Sequence, residues 1–134
     1  MAVKWYLRDE NLLAQADAML EAVWNDSVLT TAPNLARHEV SRAITVAIRA
    51  GRITWEEGQA DIQNFLRSPV PLSTDEDWVI LDAASRAVQT GVALYDAVYL
   101  SLAEKLSLQY VTADRKLFDR VSARYPFVQW LGDI

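Results

Sequence analysis

The strongest constraint on the fold is an alternation along the chain. Short runs rich in β-branched and aromatic residues recur between longer segments whose apolar residues fall at helical spacing. Gln109–Thr112 and Phe127–Leu131 are two such runs, and the segment from Asp114 to Arg124 between them has the length of a helix. Val28–Thr31 reads as a third, a brief buried strand closed by Ala32 and Pro33. Strands that alternate with helices in this way predict an α/β domain with a mostly parallel sheet.

The helices are bounded by local signals. Asp9 and Glu10 open an amphipathic run through Leu12, Leu13, Ala16, Met19, Leu20 and Val23, and acids at that end suit the helix dipole. Pro33 suits the first turn of a helix that runs to a natural stop at Gly51. Thr54-Trp55-Glu56-Glu57 is a capping box for a helix ending near Ser68, where Pro69 and Pro71 break the chain. Thr74 and Asp77 repeat that signature before a helix reaching Gly91, and a further helix spans Tyr95 to Leu106. With 134 residues and no linker, repeat or low-complexity stretch, residues 1–134 are expected to form a single domain.

Composition narrows the chemistry. There is no Cys, which excludes disulfides, thiolate zinc sites and a Cys nucleophile, and suits a reducing compartment. The one histidine, His38, cannot build a two-His metal site. The four glycines, at 51, 58, 91 and 132, are too dispersed for a phosphate-cradling loop. No apolar run approaches the roughly 20 residues of a membrane span, and no cationic leader precedes the first helix, so the expected compartment is the cytoplasm. A net charge of -5 argues against broad nonspecific nucleic-acid binding and leaves room for a local basic patch. Polar chemistry in such a chain falls to its carboxylates.

Three carboxylates stand out. At about 100° per residue, Glu39 has Leu35, Ala43, Val46 and Ala50 within roughly 40° of it, so it points along an apolar stripe, with the polar face of His38, Arg42, Thr45 and Arg49 to one side. A carboxylate there needs a partner: an ion pair with Arg42 or a metal ion. Asp96 opens a helix and lies about 180° from Lys105, again toward the core side. Asp114 follows Thr112-Ala113 at the end of a strand, where helix capping is the ordinary role. Open α/β sheets bind ligands at the carboxyl ends of their strands, so the three acids have a common rim to share. Converging carboxylates repel unless a cation lies between them, and oxygen ligands select a hard ion, Mg²⁺ or Mn²⁺.

At these residues the sequence resembles the PIN domains, and more narrowly the VapC-type toxin ribonucleases of bacterial and archaeal toxin-antitoxin pairs. The resemblance is carried by A-P-N-L-A-R-H-E-V at 32–40, L-Y-D-A-V-Y-L-S-L-A-E at 94–104 and V-T-A-D-R-K-L at 111–117, in that order, and covers essentially the whole chain. It implies a three-layer α/β/α fold with a parallel central sheet and an acidic site that binds Mg²⁺ or Mn²⁺ and cleaves RNA. The second, third and fourth family acids fall on Glu39, Asp96 and Asp114, and Thr112 matches the family's Ser/Thr beside the last acid. The partners it implies are RNA, a cognate antitoxin protein and a second copy of the chain in a homodimer.

One departure bears on the site. PIN domains begin with an apolar strand ending in an Asp, whereas this chain starts M-A-V-K-W, with Met1 where the motif's Val belongs. The first strand and first acid are thus missing from the sequence. The expectation is a displaced start, a GTG valine codon read as the initiator; the intact mass of natively expressed protein checks this, and a mass matching a Met1 start overturns it. A real truncation leads to the alternative reading, a catalytically impaired PIN-like module that sequesters an antitoxin. Arg115, Lys116 and Arg120 near Asp114 are candidate RNA-phosphate contacts, with Lys4 and Arg8 weaker ones. His38, about 100° from Glu39, reads as a polar-face residue rather than a base. The tryptophans at 5, 24, 55, 78 and 130 read as core or interface packing, with Trp55 and Trp78 placed to serve a partner.

Overall fold

A computed structural model describes residues 2–7, 11–74 and 76–134. The expectations that rest on Met1, Arg8, Asp9 and Glu10 lie outside these described residues. The chain divides into two compact units, Met1–Leu72 and Ser73–Ile134.

The first unit begins with a 3-10 turn, Ala2–Trp5, followed by helix α1, Leu13–Trp24. Trp5 is buried and its indole N–H donates to the Ala16 carbonyl at 3.0 Å, so the ring adds apolar burial without leaving its polar edge unpaired. Tyr6 packs edge-on against Phe65 with centroids 6.1 Å apart. Helix α2, Ala36–Arg49, buries Ala36, Val40, Ile44 and Ala47, one stripe at steps of four, four and three. It stops at Gly51, whose φ of +70° only glycine adopts readily. The expected capping box opens α3, Trp55–Leu66: Thr54 Oγ1 accepts from Glu57 N at 3.2 Å, and Glu57 Oε2 accepts from Thr54 N at 2.7 Å. α3 crosses α2 at Gly58, where a Cβ would lie 2.5 Å from Ile48 Cδ1; the missing side chain sets the approach of the two helices.

The strand expected at Val28–Thr31 is not formed. Leu29 is 86% exposed, and the strand of this region is the two-residue β1, Ala32–Pro33. Asn25 Oδ1 accepts from Ser27 N and Asp26 takes a positive φ of 55°, a turn that holds the run away from a partner. Pairing begins only where Ala32 N donates to Pro71 O at 3.0 Å, with Thr31 Oγ1 donating to the same carbonyl at 3.0 Å. β2, Leu72–Ser73, falls at the division between the units. Pro33 lies in β1, three residues ahead of α2, rather than in its first turn.

The second unit opens with α4, Asp77–Thr90, ended by Gly91 at φ +71°, and α5, Leu94–Lys105. The N-cap of α4 is Glu76 rather than Thr74. The Glu76 carboxylate accepts from Trp78 Nε1 at 2.5 Å and from Lys105 Nζ at 3.0 Å, with Lys105 Nζ 4.3 Å from the Trp78 ring centroid. Deeper along the pair, Arg86 bonds Asp82 Oδ2 at 2.6 Å and Glu104 Oε2, and lies 5.2 Å over the Tyr125 ring. β3, Tyr110–Thr112, pairs in parallel with β4, Val128–Trp130, in the register Tyr110 to Val128, Val111 to Gln129 and Thr112 to Trp130. The crossover is α6, Arg115–Val121. A strand–helix–strand unit with parallel strands is what the alternation predicts, in a mixed and helix-rich α/β chain. Among the described residues no helix is long and apolar enough to cross a membrane.

Candidate active site

Asp114 is built from the strand outward. β3 delivers Thr112, whose side chain is buried, 4% exposed, with its Oγ1 accepting from Asp114 N at 3.1 Å. Asp114 then caps α6: its Oδ1 accepts from Lys116 N at 2.9 Å and Leu117 N at 3.1 Å. Three hydrogen bonds thus fix this junction, and Asp114 Oδ2 has no hydrogen-bond partner among the described residues. Asp114 itself is exposed. The ordinary capping role is real here, and it leaves one carboxylate oxygen for other use.

Asp96 is half-buried in the first turn of α5, three residues past its N-cap Ala93, and so is not itself the cap. Residues 106–109 turn the chain back into β3, against which α5 packs. The first turn of α5 therefore lies toward the carboxyl end of β3, the end that carries Asp114. Glu39 belongs to the first unit. It is half-buried on α2, and its stripe differs from the expected one: Ala43 is half-buried and Val46 is 44% exposed, while the buried stripe runs through Ala36, Val40, Ile44 and Ala47. Glu39 thus stands at the edge of the core rather than along its centre. Arg42, the expected partner, is exposed and makes no ion pair among the described residues.

Of the cations near Asp114, Arg115 pairs with Asp119 at 2.8 Å and lies 4.6 Å over the Trp130 ring. Arg120 Nη1 donates to Gly91 O at 2.8 Å. Lys116 is exposed and has no ion-pair partner among the described residues. Lys4 is buried, and Arg8 lies outside the described residues. Trp130, read from sequence only as packing, sits opposite Thr112 in the ladder and beneath Arg115; an aromatic residue at the end of a terminal strand was the one available signal.

The donor set is carboxylate and hydroxyl oxygen, which by its chemistry suits a hard divalent ion. As geometry it is not a finished cage, for among the described residues no group of three or more His, Asp or Glu side chains is placed to hold a metal ion.

No protein-family model matches the chain. It is 31% identical over 93 residues to Ribonuclease VapC3 of Pyrobaculum aerophilum, an alignment covering 67% of this chain and 70% of that protein. It is 32% identical over 84 residues to Exonuclease VapC9 of the same organism, covering 63% of this chain and 61% of that one. A parallel β3–α6–β4 unit with an acid fixed at the strand's carboxyl end, and this extent of identity to two VapC proteins, lead to one assignment: the chain belongs to the VapC-type members of the PIN-domain family.

Proposed function

We propose that the protein is the ribonuclease toxin of a toxin-antitoxin pair, an endoribonuclease that hydrolyses RNA phosphodiesters with Mg²⁺ or Mn²⁺. Residues 1–134 are read as one PIN-like domain of three α/β/α layers around a mostly parallel sheet. The observation that carries this reading is the carboxyl end of β3, where Thr112 and the α6 amides hold Asp114 with one oxygen spare. Ligand sites of parallel sheets form at such ends. The names of the two relatives, a ribonuclease and an exonuclease, support nucleic-acid hydrolysis as the reaction.

In this reading Glu39, Asp96 and Asp114 are the acids of the site and the ligands of its metal, and Thr112 is the positioning hydroxyl. The chemistry that a divalent ion would supply if held by these oxygens is polarisation of the phosphate and a lowered pKa for an attacking water. The chain's own contribution is orientation. Thr112 holds the backbone of Asp114, the α6 amides hold Oδ1, and the side chain has little rotameric freedom left to lose when it engages a ligand. Lys116, without an ion-pair partner among the described residues, is the cation offered to an RNA phosphate beside Asp114, with Arg115 and Arg120 contributing from positions already tied to neighbours. The partners are RNA, a cognate antitoxin and a second copy of the chain. The compartment is the cytoplasm, in keeping with a chain that uses no cysteine.

The test is cleavage of RNA by Asp96→Asn and Asp114→Asn in Mg²⁺, in Mn²⁺ and in EDTA. Each variant is expected to lose about a hundredfold or more in rate with its circular dichroism unchanged, and EDTA is expected to silence the unaltered protein. Undiminished cleavage by both variants overturns the assignment. Antitoxin binding by an unaltered protein that never cleaves leads instead to the binding-module reading.

A further inference from the structure

We infer that the polar face of α2 is a groove that holds the phosphate backbone of single-stranded RNA, an inference that rests on reading the chain as a ribonuclease. His38, Arg42 and Thr45 form one ridge of this helix and Arg37 and Ser41 the next, since residues three and four apart share a side. Together with Asn34 before the helix and Leu66 at the end of α3, they line a groove of about 620 Å³, contained in the first unit. Arg37, His38 and Arg42 are all exposed.

Charge gives the first argument. The lining holds two guanidinium groups and the chain's one imidazole, and no carboxylate, in a protein of net charge -5. Other cations are neutralised locally: Arg86, Lys105 and Arg115 each pair with a carboxylate. Arg37 and Arg42 have no ion-pair partner among the described residues. Unneutralised cations gathered in one concavity focus the field and attract an anion from solution.

Shape and chemistry give the second. The groove is too large for a single small ion and suits an extended polyanion. A guanidinium fork matches phosphate oxygens in two-point contact, which an ammonium cannot do. No Phe, Tyr or Trp lines the groove, so beyond the His38 ring it offers bases little to stack on, and recognition falls chiefly on phosphate and ribose. Ser41 and Asn34 supply neutral hydrogen-bonding groups, and Leu66, 45% exposed, offers an apolar edge to a sugar. A folded acidic protein partner would want several apolar anchors, and Leu66 is the one large aliphatic side chain in the lining. The groove lies on the helix that carries Glu39, and so holds substrate beside one of the proposed acids.

The experiment is fluorescence anisotropy with the whole 134-residue chain. The probe is a fluorescein-labelled single-stranded RNA of about 12 nucleotides, within the usual site sizes. EDTA is present so that cleavage does not intervene. The pair Arg37→Ala, Arg42→Ala is expected to weaken binding about tenfold and to flatten the plot of log affinity against log salt by about 1.4, at about 0.7 per phosphate on a single strand. The pair Arg37→Lys, Arg42→Lys is expected to keep most of that slope. Unchanged affinity and slope in the alanine pair overturn the groove. So does an unaltered protein that binds poly-glutamate and not RNA, which gives the face to an acidic protein. Groove-dependent RNA binding in a protein that cleaves nothing in Mg²⁺ or Mn²⁺ supports the groove and overturns the ribonuclease reading alone.

Discussion

Asp114 caps a helix with one carboxylate oxygen and leaves the other spare, so its structural role and its proposed chemical role are separable. Its Oδ1 caps α6 through Lys116 N and Leu117 N, while Oδ2 carries the proposed site role. Asn caps a helix about as well as Asp does, and Ala does not cap at all. Asp114→Ala is therefore expected to lower stability by about 1 kcal/mol, whereas Asp114→Asn stays within about 0.5 kcal/mol of the parent and still loses cleavage. Urea unfolding of both variants, beside the RNA assay, checks this; an Asn variant as unstable as the Ala variant contradicts the division of labour. The junction of Thr112 and Asp114 was legible from sequence because the two are two residues apart, and local spacing is what a sequence displays. Glu39 was less so. Helical period gives the spacing of a stripe but not which of two neighbouring ridges faces the core, and α2 turned out to bury the ridge of Val40 and Ile44.

Among the elements, the crossing of α2 and α3 depends on one absent side chain. A Cβ at Gly58 would meet Ile48 Cδ1 at 2.5 Å and Ile44 Cγ2 at 3.0 Å, so Gly58→Ala forces two packed isoleucines to shift. Helix propensity favours alanine by about 1 kcal/mol, but overpacking costs about 1 to 3 kcal/mol, and net destabilisation is expected. A urea midpoint equal to or above the parent's would show that the isoleucines move aside freely. Helix boundaries in this unit were legible at Thr54 and Gly51, because a capping box and a positive-φ glycine are local chemistry. Val28–Thr31 was not: a strand exists only where a ladder partner reaches it, and here the turn at Asn25–Ser27 keeps the run exposed. Thr74 failed as a cap for a related reason. Glu76, two residues on, has its carboxylate drawn to the Trp78 indole and to Lys105, a helix away, which no local motif records.

For the whole molecule, acid stability follows from those carboxylates. Hydrogen bonds from the Trp78 indole and then Lys105, with the charge of Lys105, hold the Glu76 carboxyl below its ordinary 4.5. Burial pushes Asp82 up, but hydrogen bonding and the charge of Arg86 outweigh it and leave the group below its ordinary 3.8. A folded value below the unfolded one means that the stabilisation is present above the unfolded value and is lost as pH falls through the folded one. The urea midpoint is thus expected to hold steady down to about pH 4.5 and fall beneath it. Glu76→Gln should flatten the first part of that fall, and 1 M salt should reduce it, since Glu76 is exposed. A Glu76→Gln curve parallel to the parent's down to pH 3 refutes the role. At this scale the mixed α/β character was legible in the alternation of strand and helix, and the parallel β3–β4 pair bears out that much, with the described strands forming two separate two-stranded sheets.

The charged clasp between α4 and α5 also has a thermal meaning. Arg86 joins Asp82 on its own helix to Glu104 on the next, and Lys105 reaches back to Glu76. Water holds ions less favourably as it warms, so the dehydration that opposes such a clasp diminishes with heat, while apolar contacts gain little further. This seam is therefore one that hot water loosens late, and it secures the carboxyl end of α5, from which the chain turns into β3.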